Sequence, residues 1–310
     1  MTRILITGSD GFVGTVLSGE LSRLGHDVSG TVFDRASEDG NEYPVDITRP
    51  ETFSVLPSGE FDVIIHNAGM MDQMVPRKQM FQVNAEGTQN VLDWARTNGC
   101  RHLIQISSSS VYGLKTMGQN RIEDTGGLLS RLGTPYQRSK SKGERLIRRS
   151  GVPFTILRLP PLLGYGDSFV SPTIVHHLID GSFFRVGRRN LLVSVLAIGN
   201  LSGMVEQVIR RGPTNTEYNC VSHHVQWLDL VREYAAALDV EVPETRKPLL
   251  SILTNTGDVD HQFMLAFSRF GSHMPSDKFV DEFGDESIQS WQDAVRDAVL
   301  GVQTGGQEWL

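Results

Sequence analysis

A chain of 310 residues, 39% hydrophobic and 21% charged, can bury a full core and falls between one large α/β domain and one domain carrying a smaller appendage. A formal charge of -7 with no long basic run excludes a broad nucleic-acid-binding face, and no apolar run approaches the roughly 18 residues that span a bilayer. The expected partner is a small molecule, with neither nucleic acid nor membrane.

The first segment, "MTRILITG", runs straight into an apolar strand at residues 3–6 without a charged, apolar, small-residue cleavage pattern, which places the protein in the cytoplasm. Val13, Leu17, Leu21 and Leu24 then recur at helical spacing, and Gly25 closes that helix. Further strands are predicted at 28–33, 61–66, 102–107 and 154–159, with helical patterns between them, notably 81–97 and 135–149. This alternation is the signature of a doubly wound parallel sheet with helices on both faces. After about Leu159, "PPLLGYGDSFVSP" breaks the rhythm and opens a second region. There the pattern predicts a helix around 173–179, an apolar segment "NLLVSVLAI", a strand "TEYNCV", an amphipathic helix at 225–238, a last helix around 291–300 and a frayed tail "GVQTGGQEWL".

"TGSDGFVG" places Gly8, Gly11 and Gly14 between the first strand and its helix. The first glycine permits a tight turn, the second lets backbone approach a pyrophosphate and the third lets helix pack on strand, while the amides opening the helix at Phe12 and Val13 face the phosphates. Asp34 lies 20 residues beyond Gly14, near the spacing of an acid that binds ribose hydroxyls, which points to NAD; Arg35, next to it, suits a 2′-phosphate and keeps NADP open. "VDIT", with Asp46 and Ile47, and "HNAG", with Asn67, Ala68 and Gly69, fall at or just after strand ends, along the edge a dinucleotide follows, and Pro160 closes the strand at 154–159 on the same edge. Asn84 either holds backbone near the cofactor or caps a helix.

In "PYQRSKSKGE", residues four apart on a helix share a face, so Tyr136 and Lys140 can enter one cleft while Lys142 turns away. A nearby ammonium would stabilise the phenolate and let Tyr136 trade protons. "SSSSVYG" supplies hydroxyls at the same carboxyl edge, able to polarise the oxygen that Tyr136 serves. Neither a metal nor a covalent nucleophile is indicated: His176-His177 and His223-His224 are adjacent pairs that point apart, and Cys100 and Cys220 are read as buried thiols.

Taken in order, "TGSDGFVG", "HNAG", "NAEGTQNVL", "SSSSVYG" and "PYQRSK" resemble the extended short-chain dehydrogenase/reductase superfamily, the NAD(P)-dependent epimerase/dehydratase group with its hydroxysteroid-dehydrogenase-like relatives. The resemblance implies a Rossmann-type NAD(P)-binding domain at 1–165 and a smaller C-terminal α/β substrate-binding region at 166–310, some of whose segments can return to the sheet. It selects Ser108, four residues before the tyrosine of "VYG", as the catalytic serine, and sets Tyr136 as general acid/base and Lys140 as the residue that also binds the nicotinamide ribose. It also implies a homodimer built on the helices at 81–97 and 135–149.

Departures bear on the substrate. Pro161 stands about where sugar-nucleotide epimerases of the family carry asparagine, and Val193 where they place an arginine for the substrate pyrophosphate; Arg188 and Arg189 lie a few residues earlier. Ser109 and Ser110 replace the Asp-Glu of the dehydratases, which disfavours dehydration. Met70, Met71 and Met74 form either part of an adaptable ligand wall or core filler. The resulting first expectation is net hydride transfer between nicotinamide and a secondary alcohol or ketone. The alternative is nucleotide-sugar epimerisation by transient oxidation with tightly bound NAD, and a third reading is a nucleotide-sensing protein without chemistry.

Overall fold

The protein is described by a computed structural model covering residues 1–33, 40–59, 61–72, 74–115, 118, 120–123, 133–187, 189–248, 259–285 and 287–304. In chain order the first half runs β1 (Arg3–Thr7), α1 (Phe12–Arg23), β2 (Asp27–Val32), β3 (Glu42–Pro44), β4 (Val63–His66), α2 (Arg77–Phe81), a π-helical turn (Gln82–Gly87), α3 (Thr88–Thr97), β5 (His102–Ser108), α4 (Pro135–Arg149) and β6 (Phe154–Leu159). The second half adds β7 (Leu162–Leu163), α5 (Val170–Ile179), β8 (Arg185–Val186), β9 (Leu192–Ala197), α6 (Ile198–Arg211), β10 (Thr216–Asn219), β11 (His223–Gln226), α7 (Trp227–Leu238), β12 (Arg246–Lys247), α8 (Val259–Phe270), α9 (Asp277–Phe283) and α10 (Trp291–Thr304).

Seven parallel strands form the main sheet in the order β10-β6-β5-β4-β1-β2-β3. The order reverses between β1 and β4, and in such sheets ligands bind beyond the carboxyl ends of the strands at that reversal. Both faces are covered, which is why β1, β4 and β6 read as nearly unbroken apolar runs. Strand alternation divides their side chains between two cores. Ile4, Ile6, Ile65, Ile104 and Leu157 pack with Leu17 and Leu21 of α1 and with Leu201 and Val205 of α6. Leu5, Ile64, Leu103 and Ile156 pack on the opposite face with Val91, Leu92 and Ala95 of α3 and Ile147 of α4.

A third core, built from α5, α7, α8 and α10 around β9, holds Val193, Val195, Trp227, Val231, Tyr234 and Val295. β9 joins the two parts of the chain, since Val193, Val195 and Ala197 face this core while Leu196 between them faces the sheet's.

Strand "TEYNCV" is β10 and lies parallel beside β6 at the edge of the main sheet, so this segment of the second region completes the first. The helix expected at 81–97 begins earlier, at Arg77, and passes through the π turn. Helices α6, α8 and α9 carry too weak a local signal to be read from sequence. In α6 the first turns hold Gly199, Asn200, Ser202 and Gly203, poor helix formers. Tertiary bonds compensate: Gly199 N–H donates to Gln289 Oε1 at 2.9 Å, and Asn200 Oδ1 accepts from the amides of Ile288 and Gln289 at 2.9 and 2.8 Å. Among the described residues no helix is long and apolar enough to cross a membrane.

Candidate active site

The turn between β1 and α1 depends on its glycines. Gly8 has φ +67°, a left-handed value that disfavours any side chain. Its amide and that of Ser9 both donate to the Thr31 carbonyl, at 2.9 and 3.0 Å, which ties the turn to the end of β2. A Cβ on Gly14 would sit 2.1 Å from the Gly8 carbonyl oxygen, so helix and turn are in direct backbone contact there. A Cβ on Gly11 would find its nearest neighbour at 3.6 Å, and this exposed glycine leaves the approach to the helix open. Helix α1 starts with no side-chain cap and no acid in its first turn, leaving the first amides, at Phe12 and Val13, and the positive end of the helix dipole to an anion. The cradle fits a dinucleotide pyrophosphate.

The facing wall is the segment after β4. Asn67 Nδ2 donates to the Gly8 carbonyl at 3.0 Å, and the amides of Asn67 and Ala68 donate to Thr7 Oγ1 at 3.1 and 3.0 Å. Thr7 therefore gives its own proton to His66 Nδ1, 2.8 Å away, and His66 donates from Nε2 to Thr88 Oγ1 at 3.1 Å. Burial, assisted by the charge of Lys140, holds His66 down to about 3, so the ring is neutral and its tautomer is set by these two hydroxyls. Thr88 passes its proton to the Asn84 carbonyl at 3.0 Å.

Asn84 sits inside the π turn rather than at a helix cap, an irregularity that often marks functional positions. Its side chain accepts from Met70 N at 2.7 Å and donates to Met70 O and Ser139 Oγ at 2.8 and 3.0 Å, so it clamps the Ala68–Gly69–Met70 loop to α4. The exposed Gly69 lies where a Cβ would be 3.7 Å from Lys140 Nζ. Asp46 is turned to a local task, with Oδ1 accepting from Thr48 N and Oγ1 at 2.9 and 2.7 Å. Ile47 is buried beneath Gly87, and its carbonyl takes Asn90 Nδ2 at 2.8 Å. Pro160 is buried at the end of β6. Asp34 and Arg35 lie outside the described residues.

Ser108 ends β5, and Tyr136 stands in the first turn of α4, which Thr134 and Gln137 close with a reciprocal capping box. Ser108 Oγ accepts the Ser110 amide at 3.1 Å, leaving the Ser108 proton to be donated outward. Burial raises the Tyr136 phenol above its ordinary value, opposed by hydrogen bonding from Ser108 and Ser110. This corrects one expectation: Tyr136 is raised overall, and the opposing groups are the two serines, because Lys140 Nζ donates to the Ile106 carbonyl at 3.0 Å. Burial brings Lys140 down to about 8, while Glu144 pulls it back up. Lys142 points elsewhere, with Nζ 5.8 Å from the centre of the Phe81 ring.

Sequence reasoning missed Ser110, Glu144 and Arg158. Ser110 lies two residues from Ser108 in the serine run. Glu144 continues the four-residue spacing of Tyr136 and Lys140 by one further turn, so the rule that selected Lys140 also reaches it. Of the remaining candidates, Val193 is fully buried in the third core, Pro161 contributes its carbonyl to Leu196 N at 3.0 Å, Arg189 is exposed and Arg188 lies outside the described residues. Met71 and Met74 are exposed, so they are not core filler. His224 binds Ser194 and His223 binds Ser222, and among the described residues no group of His, Cys, Asp and Glu could hold a metal ion. Cys100 and Cys220 are buried free thiols, both raised by burial, Cys100 to about 11.

Residues 4–205 match the model of the NAD dependent epimerase/dehydratase family. The chain is 27% identical over 220 residues to a 3-beta-hydroxysteroid dehydrogenase of Mycolicibacterium neoaurum, covering 64% of this chain and 58% of that protein, less than two thirds of its length. It is 25% identical over 260 residues to N-acetyl-alpha-D-glucosaminyl-diphospho-ditrans,octacis-undecaprenol 4-epimerase of Escherichia coli O157:H7, covering 79% of this chain and 75% of that one. In fold it is similar to the Bordetella bronchiseptica enzyme WbmH, solved in complex with NAD+, with a TM-score of 0.76, 18% identity and 98% and 99% of the two chains covered.

Proposed function

The chain belongs to the NAD dependent epimerase/dehydratase family, and from that premise we propose that it is an epimerase that oxidises and re-reduces a secondary carbinol of a glycosyl diphosphate within one binding event, on NAD it retains. The observation that carries this reading is the convergence on one sheet edge of an uncapped helix N-terminus, a tyrosine facing two serine hydroxyls, and a lysine one helical turn on. For the fate of the substrate, the likenesses support the alternative: the match to the 4-epimerase covers 79% of this chain, against 64% for the hydroxysteroid dehydrogenase. The first expectation, net oxidation or reduction, therefore gives way to its alternative.

Gly8, Gly11, Phe12, Val13 and Gly14 would receive the pyrophosphate, with Asn67, Ala68, Gly69 and Asn84 shaping the wall opposite and backbone at Asp46, Ile47 and Pro160 along the edge. Asp34 and Arg35 are the candidates for the adenosine ribose, with NAD preferred and NADP the alternative. Bound there, the nicotinamide supplies the acceptor and donor of the carbinol hydrogen. Ser108 and Ser110 would hold the substrate oxygen by hydrogen bonds, and Tyr136, in its phenolate form, would take the carbinol proton in the first half-reaction and return it in the second. Lys140, a cation in neutral solution, lies one turn away to hold the ribose hydroxyls.

The test is where the reducing equivalents go. With UDP-glucose or UDP-N-acetylglucosamine as substrate, the 4-epimer is expected to accumulate while the small-molecule fraction from gel filtration stays free of absorbance at 340 nm. Reduced nicotinamide building up in the small-molecule fraction in proportion to substrate consumed would sink epimerisation. It would favour the second reading, a net dehydrogenase for an alcohol without a diphosphate, to which the buried Val193 in place of the family's arginine lends support. We further propose a homodimer through α2–α3 and α4, and a division near residue 165 across which α6 and β10 return to the first unit.

A further inference from the structure

Behind the proposed reaction site, the turn of α4 that follows Lys140 carries a buried carboxylate with an unusual set of partners. Glu144, 2% exposed, accepts from Ser107 Oγ at 2.7 Å, from Arg158 Nε and Nη2 at 3.0 and 2.7 Å, and from Arg148 Nη2 at 2.7 Å. Lys140, Glu144, Gln105 and Ser107 line one small enclosed cavity together with Ala68, Asn84, Thr88 and Gly143. Ser107 is the neighbour of Ser108, and Glu144 is one helical turn from Lys140, so the carboxylate is bonded beside one proposed catalytic residue and shares a helix face and a cavity with another.

We propose that Glu144 is a positioning residue for this site: fixed by Arg158, Arg148 and Ser107, its carboxylate keeps the Lys140 side chain a cation. The charge inventory around Lys140 supports this. His66, on β4, is neutral because it is buried between two hydroxyls. Tyr136 is raised by burial and uncharged in neutral solution. Glu144 is the group that opposes the desolvation of Lys140. Burial would protonate Glu144, but Arg158 first, then Arg148 and Ser107, hold it below the usual carboxylate range. Arg158 is anchored in turn by Glu217 of β10 at 3.4 Å, by Tyr112 Oη at 3.2 Å and by the Glu123 carbonyl at 2.8 Å. The carboxylate is therefore held ionised and stationary where a mobile surface glutamate would be screened.

This inference rests on the reading of Lys140 as the cation of the site, but its test needs no turnover. The pH dependence of Lys140 acylation by an amine-selective reagent, read by peptide mass spectrometry on the folded protein, follows the neutral amine. In Glu144→Gln the lysine loses its anion and faces an Arg158 left with Glu217 as its remaining carboxylate, so the labelling midpoint moves down from about 8. A midpoint lowered to about 7 would speed labelling at pH 7 by about fivefold, the gain in neutral amine. In Arg158→Met the carboxylate is less neutralised while Arg148 keeps it ionised, so the midpoint moves up and labelling slows. A merely structural ion pair would not move the two midpoints in opposite directions.

Breaking a buried pair from one side is destabilising, so the double variant Glu144→Gln/Arg158→Met guards against variants that do not fold, because replacing both charges is often tolerated. It is expected to label faster than the native protein and slower than Glu144→Gln. Midpoints unchanged in every folded variant, or moved the same way by both single changes, overturn the proposal. If the midpoints move as described and no epimer forms, the fault lies with the assigned reaction and not with Glu144.

Discussion

Tyr136→Phe loses about three orders of magnitude or more in kcat while binding NAD within a few-fold of the native protein, as read by steady-state kinetics and by cofactor titration. The change deletes one oxygen. The helix that carries it stays in place, since its start is fixed by the Thr134–Gln137 capping box and its first turn by the Ser139 hydroxyl bonded to the Tyr136 carbonyl at 2.8 Å. Ser108 and Ser110 remain to hold the substrate oxygen, but a serine hydroxyl is too weakly acidic to take over proton exchange. The loss therefore falls on kcat and leaves KM nearly unchanged, the pattern of an interaction used in the transition state. Retention of even a tenth of the native rate would remove Tyr136 from the mechanism.

The second large effect separates two glycines that sequence alone treats as one motif. Gly14→Ala must place a Cβ 2.1 Å from the Gly8 carbonyl oxygen and 2.8 Å from Ser9 Cα, both backbone atoms without freedom to move. The turn has to open, at a cost of about 1–3 kcal/mol or more, and both the melting temperature and NAD affinity fall. Gly11→Ala meets nothing closer than 3.6 Å at a backbone φ of -79°, which any residue adopts. Its stability changes by no more than about 1 kcal/mol, the difference between glycine and alanine at an N-cap. NAD affinity nevertheless drops by about tenfold or more, because the new methyl occupies the pyrophosphate's approach (about 1.4 kcal/mol per decade). Thermal unfolding with and without NAD distinguishes these outcomes, and a Gly11→Ala protein with unimpaired binding would move the phosphate away from this turn.

What could be read from the chain, and what could not, follows from where the information is local. The strands β1, β4, β5 and β6 are short apolar runs between turn signals, and the glycine turn and the four-residue spacing of Tyr136 and Lys140 are likewise contiguous in sequence. The partner of each group was less accessible. That Asn84 would clamp Met70 depends on a π turn with no sequence mark, and that Lys140 would donate to the Ile106 carbonyl depends on how α4 crosses β5. Arg158 sits in a fully buried strand, where its charge had no visible reason; Glu144, 14 positions away in the chain, supplies it. Helix α6 is the clearest omission, because Gln289 and its neighbours, about 90 residues later, satisfy a first turn that local propensity argues against.

In the proposed reaction, hydrogen leaves the substrate and returns to it without leaving the protein. Glycosyl diphosphates deuterated at C4, UDP-glucose and UDP-N-acetylglucosamine, offer the most direct measurement, with the label followed by mass spectrometry of substrate, product and cofactor. The 4-epimer is expected to keep its deuterium in full, with none in water and none in free nicotinamide. Deuterium recovered in released nicotinamide, deuterium lost to solvent, or no epimer from either substrate would contradict it.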